Sequence, residues 1–547
     1  MQLLTTLLIS IIVTIAVMPY ARHLAGRLQA IDRPGGRKIH EGIMPKCGGM
    51  AMALGASVPI MLWAPKTNFI KGLLIGSLII VLFGLADDIK DLKPTTKLLG
   101  QVMAALVITL VSGVMINDLG AFLPAGILLP DWLAMPLTIF VIVGVTNATN
   151  LSDGLDGLAG GIALLVFICI GYLGVVQRDW SVVMVAIAVG GSVLGFLRFN
   201  SYPAQLFMGD AGSQFLGFAA IVLSIKLVQQ SPHLSAILPL IILGVPVLDT
   251  LTVMIRRLAE GRSPFSADRN HFHHQLMMIG LYHTEAVLTI YLAQALLVLC
   301  AIFLRGVNDW ILLSIYLLFS GVVLGLFHAF HLRGYRIDRE RFLNRTKRKL
   351  KPLKDRGHII KISFGIVKVG LPTLLIFNAL LPLPHDQEPF FIKGGFLILL
   401  FLAWTLNHEV LNRIAKIALY LFTPFMIFDC EQSIYAYNSI AAVYVYNFLY
   451  VLLLASVFVT MKFTRRMNGF KSSTLDFLVV FVIILIPNLP NYAVEGYVLG
   501  MVAVKTVIMF YSFEVLIGES RREIVNYKIT AAVLAMILGL EGLMIML

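Results

Sequence analysis

Charge is what this chain has least of: Asp, Glu, Lys and Arg make up 13% of its 547 residues, about half the share usual in soluble domains. So few charged groups exclude a disordered chain, a coiled coil and an ordinary soluble enzyme. Cysteine is scarce as well. Cys47, Cys169, Cys300 and Cys430 stand singly in or beside apolar runs without C-x-x-C spacing, which gives no basis for a disulfide framework or a zinc site. A basic segment ahead of the first apolar run is also missing, so Leu3 to about Met18 reads as a retained first span rather than a cleaved signal peptide. There is no tandem repeat and no low-complexity run.

What is present in excess is apolar sequence, at 58% hydrophobic residues and a mean hydropathy of +0.87. That is the composition of an integral membrane protein. A bilayer core takes about 20 apolar residues per helix, and the chain offers about eighteen such runs, about eleven before residue 331 and about seven after 361. The expected fold is all-α, a polytopic helix bundle. Its expected divisions are 1–331, a basic linker at 332–361, and a further membrane bundle at 362–547.

The net charge of +13 would suggest nucleic acid on a soluble protein. Here it follows the positive-inside bias, because alternating the spans gathers the Lys and Arg of 22–47, 87–97, 256–283 and 331–361 on one side. This places the N-terminus outside and those loops in the cytoplasm, with membrane lipid rather than nucleic acid as the surrounding partner. The 331–361 stretch reads as a solvated tether that binds headgroups.

Acidic residues are costly near lipid, so their positions carry information. Asp87 and Asp88 close the third span in FGLADDIKDLK, Asp153 and Asp156 follow the fifth in NATNLSDGLDGLAGG, and Asp210 opens the eighth in FMGDAGSQFLGF. All fall on the cytoplasmic side. Singly, Asp153 and Asp210 read as helix N-caps; together, the five carboxylates ask for a counter-charge. A hard, oxygen-seeking cation suits them, Mg²⁺ with Mn²⁺ as the variant, completed by substrate phosphates. The glycines around these acids suit tight turns and close approach of phosphate to helix N-termini.

The ninth span leads into RRLAEGRSPFSADRNHFHHQL. His271, His273 and His274 admit a metal site, but beside Arg262 and Arg269 a phosphate or sugar contact with possible proton transfer is preferred. The first loop adds Arg37, Lys38 and His40 on the same side. Together these point to Mg²⁺-dependent phosphoryl transfer between a soluble polyanion and a membrane component. The competing class is a secondary transporter, which would place its acids near the midplane and carry an internal repeat.

The motifs DDIKDLK at 87–93, NATNLSDGLDGLAGG at 147–161, FMGDAGSQFLGF at 207–218 and ADRNHFHHQL at 267–276, with RKIHEGIMPKCGG at 37–49, resemble the polyprenyl-phosphate N-acetylhexosamine-1-phosphate transferases over roughly residues 1–331. The resemblance implies transfer of a sugar 1-phosphate from a UDP-N-acetylhexosamine to undecaprenyl or another polyprenyl phosphate, with release of UMP, in the bacterial inner membrane. By motif it implies Asp210 as the principal Mg²⁺ ligand with Asn150 beside it. Asp87 would orient or deprotonate the lipid phosphate, with Asp88 behind it near the metal, and Lys97 would contact phosphate. Asp156 and Phe207 would hold uracil. Arg269, His271, His273 and His274 would face the sugar phosphate, and Lys38, Asn147 and Asp153 belong to the implied substrate-binding set. Direct attack by the lipid phosphate is favoured over a covalent intermediate. The histidine loop resembles that of the GlcNAc-type initiators, so UDP-GlcNAc is the expected donor. A second copy of the chain, and downstream glycosyltransferases or a flippase, are the further expected partners.

The C-terminal third departs from this family. It shows no catalytic cluster in sequence: Asp429 and Glu431 fall in an expected outside loop, and Glu409, Glu495 and Glu514 are isolated. It reads as an accessory bundle, with coupling to later handling of the lipid-linked sugar as the sharper alternative.

Overall fold

The computed structural model describes residues 2–32, 44–124, 126–231, 233–263, 270–332, 358–380, 420, 423–434, 440–463, 474–485 and 494–519. The chain separates into two compact units, Met1–Ile337 with Ser473–Leu478, and Asp338–Ser472 with Val479–Leu547. The 333–357 part of the expected linker, and with it most of its basic residues, lies outside the described residues, as do Lys38 and Arg269.

Among its described residues the first unit is built of helices, apart from one short ribbon and the connecting loops. α1 (Gln2–Arg27) leads through a two-stranded antiparallel ribbon, β1 (Ile31–Asp32) and β2 (Met44–Pro45), into α2 (Gly48–Trp63). Then come α3 (Asn68–Lys90), α4 (Pro94–Ser112), α5 (Asp131–Leu151), α6 (Leu158–Gln177), α7 (Trp180–Asn200) and α8 (Gly209–Gln230). α9 (Leu238–Ile242), α10 (Gly244–Ala259), α11 (Phe272–Met278), α12 (His283–Phe303) and α13 (Asp309–Leu332) complete it. All of the eleven expected apolar runs before 331 are helical. Nine of them, among the described residues, are long and apolar enough to cross a membrane. The other two are α2, with 16 residues, and the α9–α10 pair.

That pair is one span broken at Leu243. Backbone groups freed at a break in lipid must find partners inside the protein. Gln294 of α12 donates to Ile242 O at 2.8 Å, and the Tyr316 hydroxyl of α13 donates to Gly244 O at 3.0 Å. The break is thus stabilised by two later helices.

α8 is the core helix, packed on α2, α3, α5 and α6. Small residues make this possible: a β-carbon on Gly84 would overlap Ala211, one on Gly49 would overlap Gly212, and one on Gly217 would press on Thr149. Without a hydrophobic drive between helices in lipid, such close backbone approach is the main source of packing energy. Large apolar side chains such as Leu78, Leu110, Phe140 and Leu318 remain on the outside, the surface that lipid covers. At one end, Asp309 accepts from Ala121 N at 2.7 Å and Ala236 N at 2.8 Å and from Ser235 Oγ, fastening two loops to α13.

The second unit contains α14 (His358–Leu380), a helix over 423–434, α15 (Ile440–Phe463), the part of α16 (Thr474–Leu485) from Val479 onward, and α17 (Val494–Glu519) among its described residues. α14 and α15 include stretches able to cross a membrane. Asp429 and Glu431 therefore lie in a helix, not in a loop. Glu431 pairs with Lys505 of α17, both buried, and Glu514 accepts from Tyr420 at 2.9 Å. The isolation expected of Glu514 does not hold, and the partners of both glutamates are about 70 to 95 positions away in sequence.

Candidate active site

The ends of α3 and α5 and the starts of α4 and α8 meet at one end of the first unit, opposite Asp309. Lys97, one turn into α4, is the hub: its ammonium lies 2.5 Å from Asp87 Oδ2 and 3.1 Å from Asp210 Oδ2. Asp87 also accepts from Leu92 N at 2.7 Å, which pins the turn after α3. The three groups differ in access. The side chain of Asp87 is 4% exposed, whereas Asp210 and Lys97 are 27% and 33% exposed, so a ligand entering this site meets Asp210 and Lys97 first.

Asp88 faces the other way. Its Oδ1 accepts Asp210 N at 3.0 Å and its Oδ2 accepts Ala211 N at 3.2 Å, with Lys46 Nζ 3.7 Å away. It therefore caps the N-terminus of α8 from a neighbouring helix, where unpaired N–H groups and the helix dipole favour an anion. Asp210 itself sits in the first turn of α8 and Asp153 precedes α6 by several residues, so the N-cap position that each acid taken alone would suggest is held instead by Met208 and Gly157.

Asn150 accepts from Ser213 Oγ at 2.5 Å, which aims its amide at the first turn of α8 beside Asp210. Asn147, a turn earlier, is engaged at both ends by Gln101 of α4, and Gln101 also donates to Gln214 of α8 at 3.0 Å. This network ties α4, α5 and α8 together directly below the charged groups.

The loop from Ser152 to Gly157 closes the site. Burial, with the Asp210, Asp88 and Asp156 charges adding to it and Lys46 opposing, pushes the Asp153 carboxyl up to about 7. Asp153 has no side-chain hydrogen-bond partner among the described residues. Asp156 accepts from Ala204 N at 2.9 Å, joining this loop to the 201–208 segment. Phe207 lies in that segment, bridged to Lys46 and bonded through Pro45, Cys47 and Gly48 to the start of α2.

The histidines reach the same loop from the far side. The His273 ring lies so close over Gly154 that a β-carbon there would overlap it. Burial, with His274, His271 and His283 nearby, holds the His273 imidazole down at about 3, so it is neutral and not part of a cationic clamp. The rings stand in a row, His271 to His273 at 5.9 Å and His273 to His274 at 4.2 Å. They do not converge as metal ligands. Among the described residues no group of three or more His, Cys, Asp or Glu side chains is arranged to hold a metal ion.

Three contributors escape sequence reasoning. His283 accepts from Asp156 N at 3.0 Å and stacks on Tyr202 at 4.5 Å. Gln101 and Asp249 sit alone in apolar runs, with no local pattern to mark them. Asp249 bonds His271.

A multi-pass helical membrane protein in which carboxylates, a lysine and histidines converge at one end of the bundle has the architecture of a membrane-embedded transferase. The model for "Glycosyl transferase family 4" matches residues 70–228, the stretch from α3 to α8 that carries Asp87, Lys97, Asn150 and Asp210. The chain is 35% identical over 325 residues to a "Probable undecaprenyl-phosphate N-acetylglucosaminyl 1-phosphate transferase" of Bacillus subtilis, a match that takes in 59% of this chain and 90% of that protein. It is 31% identical over 377 residues to the undecaprenyl-phosphate alpha-N-acetylglucosaminyl 1-phosphate transferase of Salmonella typhi, covering 66% of this chain and 100% of that protein. With the Escherichia coli protein of the same name it shares 31% identity over 372 residues. The chain belongs to glycosyl transferase family 4.

Proposed function

We propose that this protein transfers N-acetylhexosamine 1-phosphate, GlcNAc 1-phosphate in the first instance, from a UDP-sugar to undecaprenyl phosphate and releases UMP. An oxygen of the lipid phosphate attacks the β-phosphorus of the UDP-sugar; the bond from that phosphorus to the bridging oxygen breaks, and the electron pair leaves with UMP. One phosphoanhydride replaces another, so positioning and charge neutralisation are most of the catalytic task.

The observation that carries this reading is the Asp87–Lys97–Asp210 triplet, buried at Asp87 and open at Asp210 and Lys97. Lys97 meets an incoming phosphate, and Asp87 behind it orients the lipid phosphate or takes its proton. Asp88 holds α8 in place. The all-oxygen donor set of Asp210 and Asn150 fits a hard divalent ion completed by substrate phosphates and water, and it supplies too few ligands for a closed protein cage. Mg²⁺ bound there supplies neutralisation of the diphosphate charge. Asp156 and Phe207 serve the uracil end, with Asn147 and Asp153 lining the approach. His271, His273 and His274 face the sugar phosphate with Arg269 and Lys38, which lie outside the described residues. The site faces the cytoplasm of a bacterial inner membrane, with the N-terminus outside.

Purified full-length protein given UDP-GlcNAc, undecaprenyl phosphate and Mg²⁺ is expected to release UMP, and chelation is expected to stop it. Asp210→Asn and Asp87→Asn are each expected to lower kcat by at least about 100-fold at normal yield. No UMP from any UDP-N-acetylhexosamine would overturn the proposal, and wild-type rates in both variants would overturn the assignment of the site.

A further inference from the structure

We propose that His283 is a positioning residue that sets the base specificity of the site: it holds both the loop that carries Asp156 and the segment that carries Phe207, and so aims an Asp156 oxygen at the N3–H of uracil. This rests on the transferase reading above.

His283 opens α12, where Tyr282 and Glu285 form a capping box that fastens the helix start, with Tyr282 N donating to Glu285 at 2.7 Å. Its Nε2 lies 3.0 Å from Asp156 N. A backbone N–H can only donate, so Nε2 is the bare acceptor nitrogen and the ring proton sits on Nδ1. Nδ1 is buried without a partner among the described residues. An unpaired buried donor is unfavourable, so the ring does not take this orientation to satisfy its own polar atoms. Two contacts hold it there, Asp156 N at one edge and Tyr202 against its face, 4.5 Å between centroids at 28°.

These contacts reach two separate pieces of chain. Asp156 belongs to the 152–157 loop, and Tyr202 to the 201–208 segment that includes Phe207, so one side chain touches the carriers of both groups assigned to the base. α12 grips the loop a second time, through the Tyr291 hydroxyl, which donates to Gly157 O at 2.5 Å. On the Asp156 side chain, Oδ2 accepts Ala204 N at 2.9 Å, while Oδ1 has no partner among the described residues and is the oxygen left for a ligand. An acceptor held in this way receives the N3–H of uracil, whereas cytosine offers it only a lone pair. The loop and the segment are also joined by Asn200, which accepts Gly157 N at 2.9 Å and donates to Leu206 O at 3.0 Å. Loss of the His283 contact therefore loosens the aim of Asp156 without parting the two pieces.

His283→Phe keeps a ring against Tyr202 and removes the acceptor for Asp156 N; His283→Gln offers a side-chain oxygen near the place of Nε2. In UMP release by the purified full-length protein, His283→Phe is expected to raise KM for UDP-GlcNAc about tenfold, with kcat changed less. Its preference for UMP over CMP as inhibitors is expected to shrink by a similar factor, which a general loosening of the fold would not cause. His283→Gln is expected to recover most of both losses. In an Asp156→Ala background, His283→Phe is expected to add little, because it acts through Asp156. If His283→Phe fails to accumulate, His283→Asn, whose shorter amide does not reach Asp156 N, takes its place and is read in the same way. Wild-type KM and base preference in the variant lacking the acceptor, a fall in activity with the preference for UMP intact, equal losses in His283→Gln, or an undiminished effect in the Asp156→Ala background would each overturn the proposal. A wild-type protein that releases no UMP defeats the transferase reading instead.

Discussion

Asp153 is the residue at which protonation and the site are most tightly linked. Its carboxyl is pushed up to about 7 by burial and by the Asp210, Asp88 and Asp156 charges. The folded chain then binds this proton more tightly than the unfolded chain. Its contribution to stability is therefore fully present at low pH and is lost as pH rises from about 4 through about 7. Without added metal, the thermal midpoint of the wild type is expected to fall between about pH 5 and pH 8 by a component worth on the order of a few kcal/mol. Asp153→Asn should lack that component, and Mg²⁺ should shrink it in the wild type by offsetting the neighbouring charges. Parallel pH dependences for wild type and variant would show that Asp153 is ionised throughout. The acids themselves were legible in sequence because a carboxylate at the end of an apolar run has few structural explanations. Their partners were not. Nothing local distinguishes Gln101 or Asp249 from any polar residue tolerated in a helix, since each acts on a group 22 to 113 positions away.

At the scale of the element, the joint between α3 and α8 holds the site in register. Asp88 supplies the acceptors for the first N–H groups of α8. Gly209, at φ +75°, lies so near the Asp88 carboxylate that a β-carbon would crowd it at 2.5 Å. Asp88→Ala leaves two buried donors unpaired, at a cost of about 1–3 kcal/mol each. Gly209→Ala damages the same joint through backbone strain and crowding. Both are expected to lower the thermal midpoint in detergent, and the double variant is expected to lose less than the sum of the singles because they break one contact. Strict additivity would mean that the two residues act separately. Sequence order gives the number and sequence of these helices correctly, up to the eleven runs before residue 331. It does not give the rotation of one helix against the next, so the cap that Asp88 of α3 supplies to the first N–H groups of α8 has no local mark in the sequence. The break at Leu243 was hidden for the same reason, because its stabilising partners, Gln294 and Tyr316, belong to later helices.

At the scale of the whole molecule, the family match at 70–228 and every group assigned to the chemistry lie in the first unit, while the second has a polar centre of its own. There Glu431 and Lys505 are each 1% exposed, Lys505 Nζ lies 3.7 Å from the Tyr446 ring centroid, and Asn378 bonds both Tyr446 at 2.7 Å and Tyr450 at 2.9 Å. Removing one member of a buried ion pair strands the other charge, at a cost of about 3–5 kcal/mol, whereas replacing both with apolar groups of similar volume is often close to neutral. Glu431→Ala is therefore expected to make the second unit markedly more sensitive to proteolysis and heat. Glu431→Leu combined with Lys505→Met should restore most of the loss. UMP release per folded molecule should be the same in the double variant as in the wild type, since none of its reacting groups lies in this unit. Equal damage in single and double variants would show that the charges do more than hold the helices together, and a double variant that is stable but slow would mean that the chemistry depends on more of the chain than the family match covers.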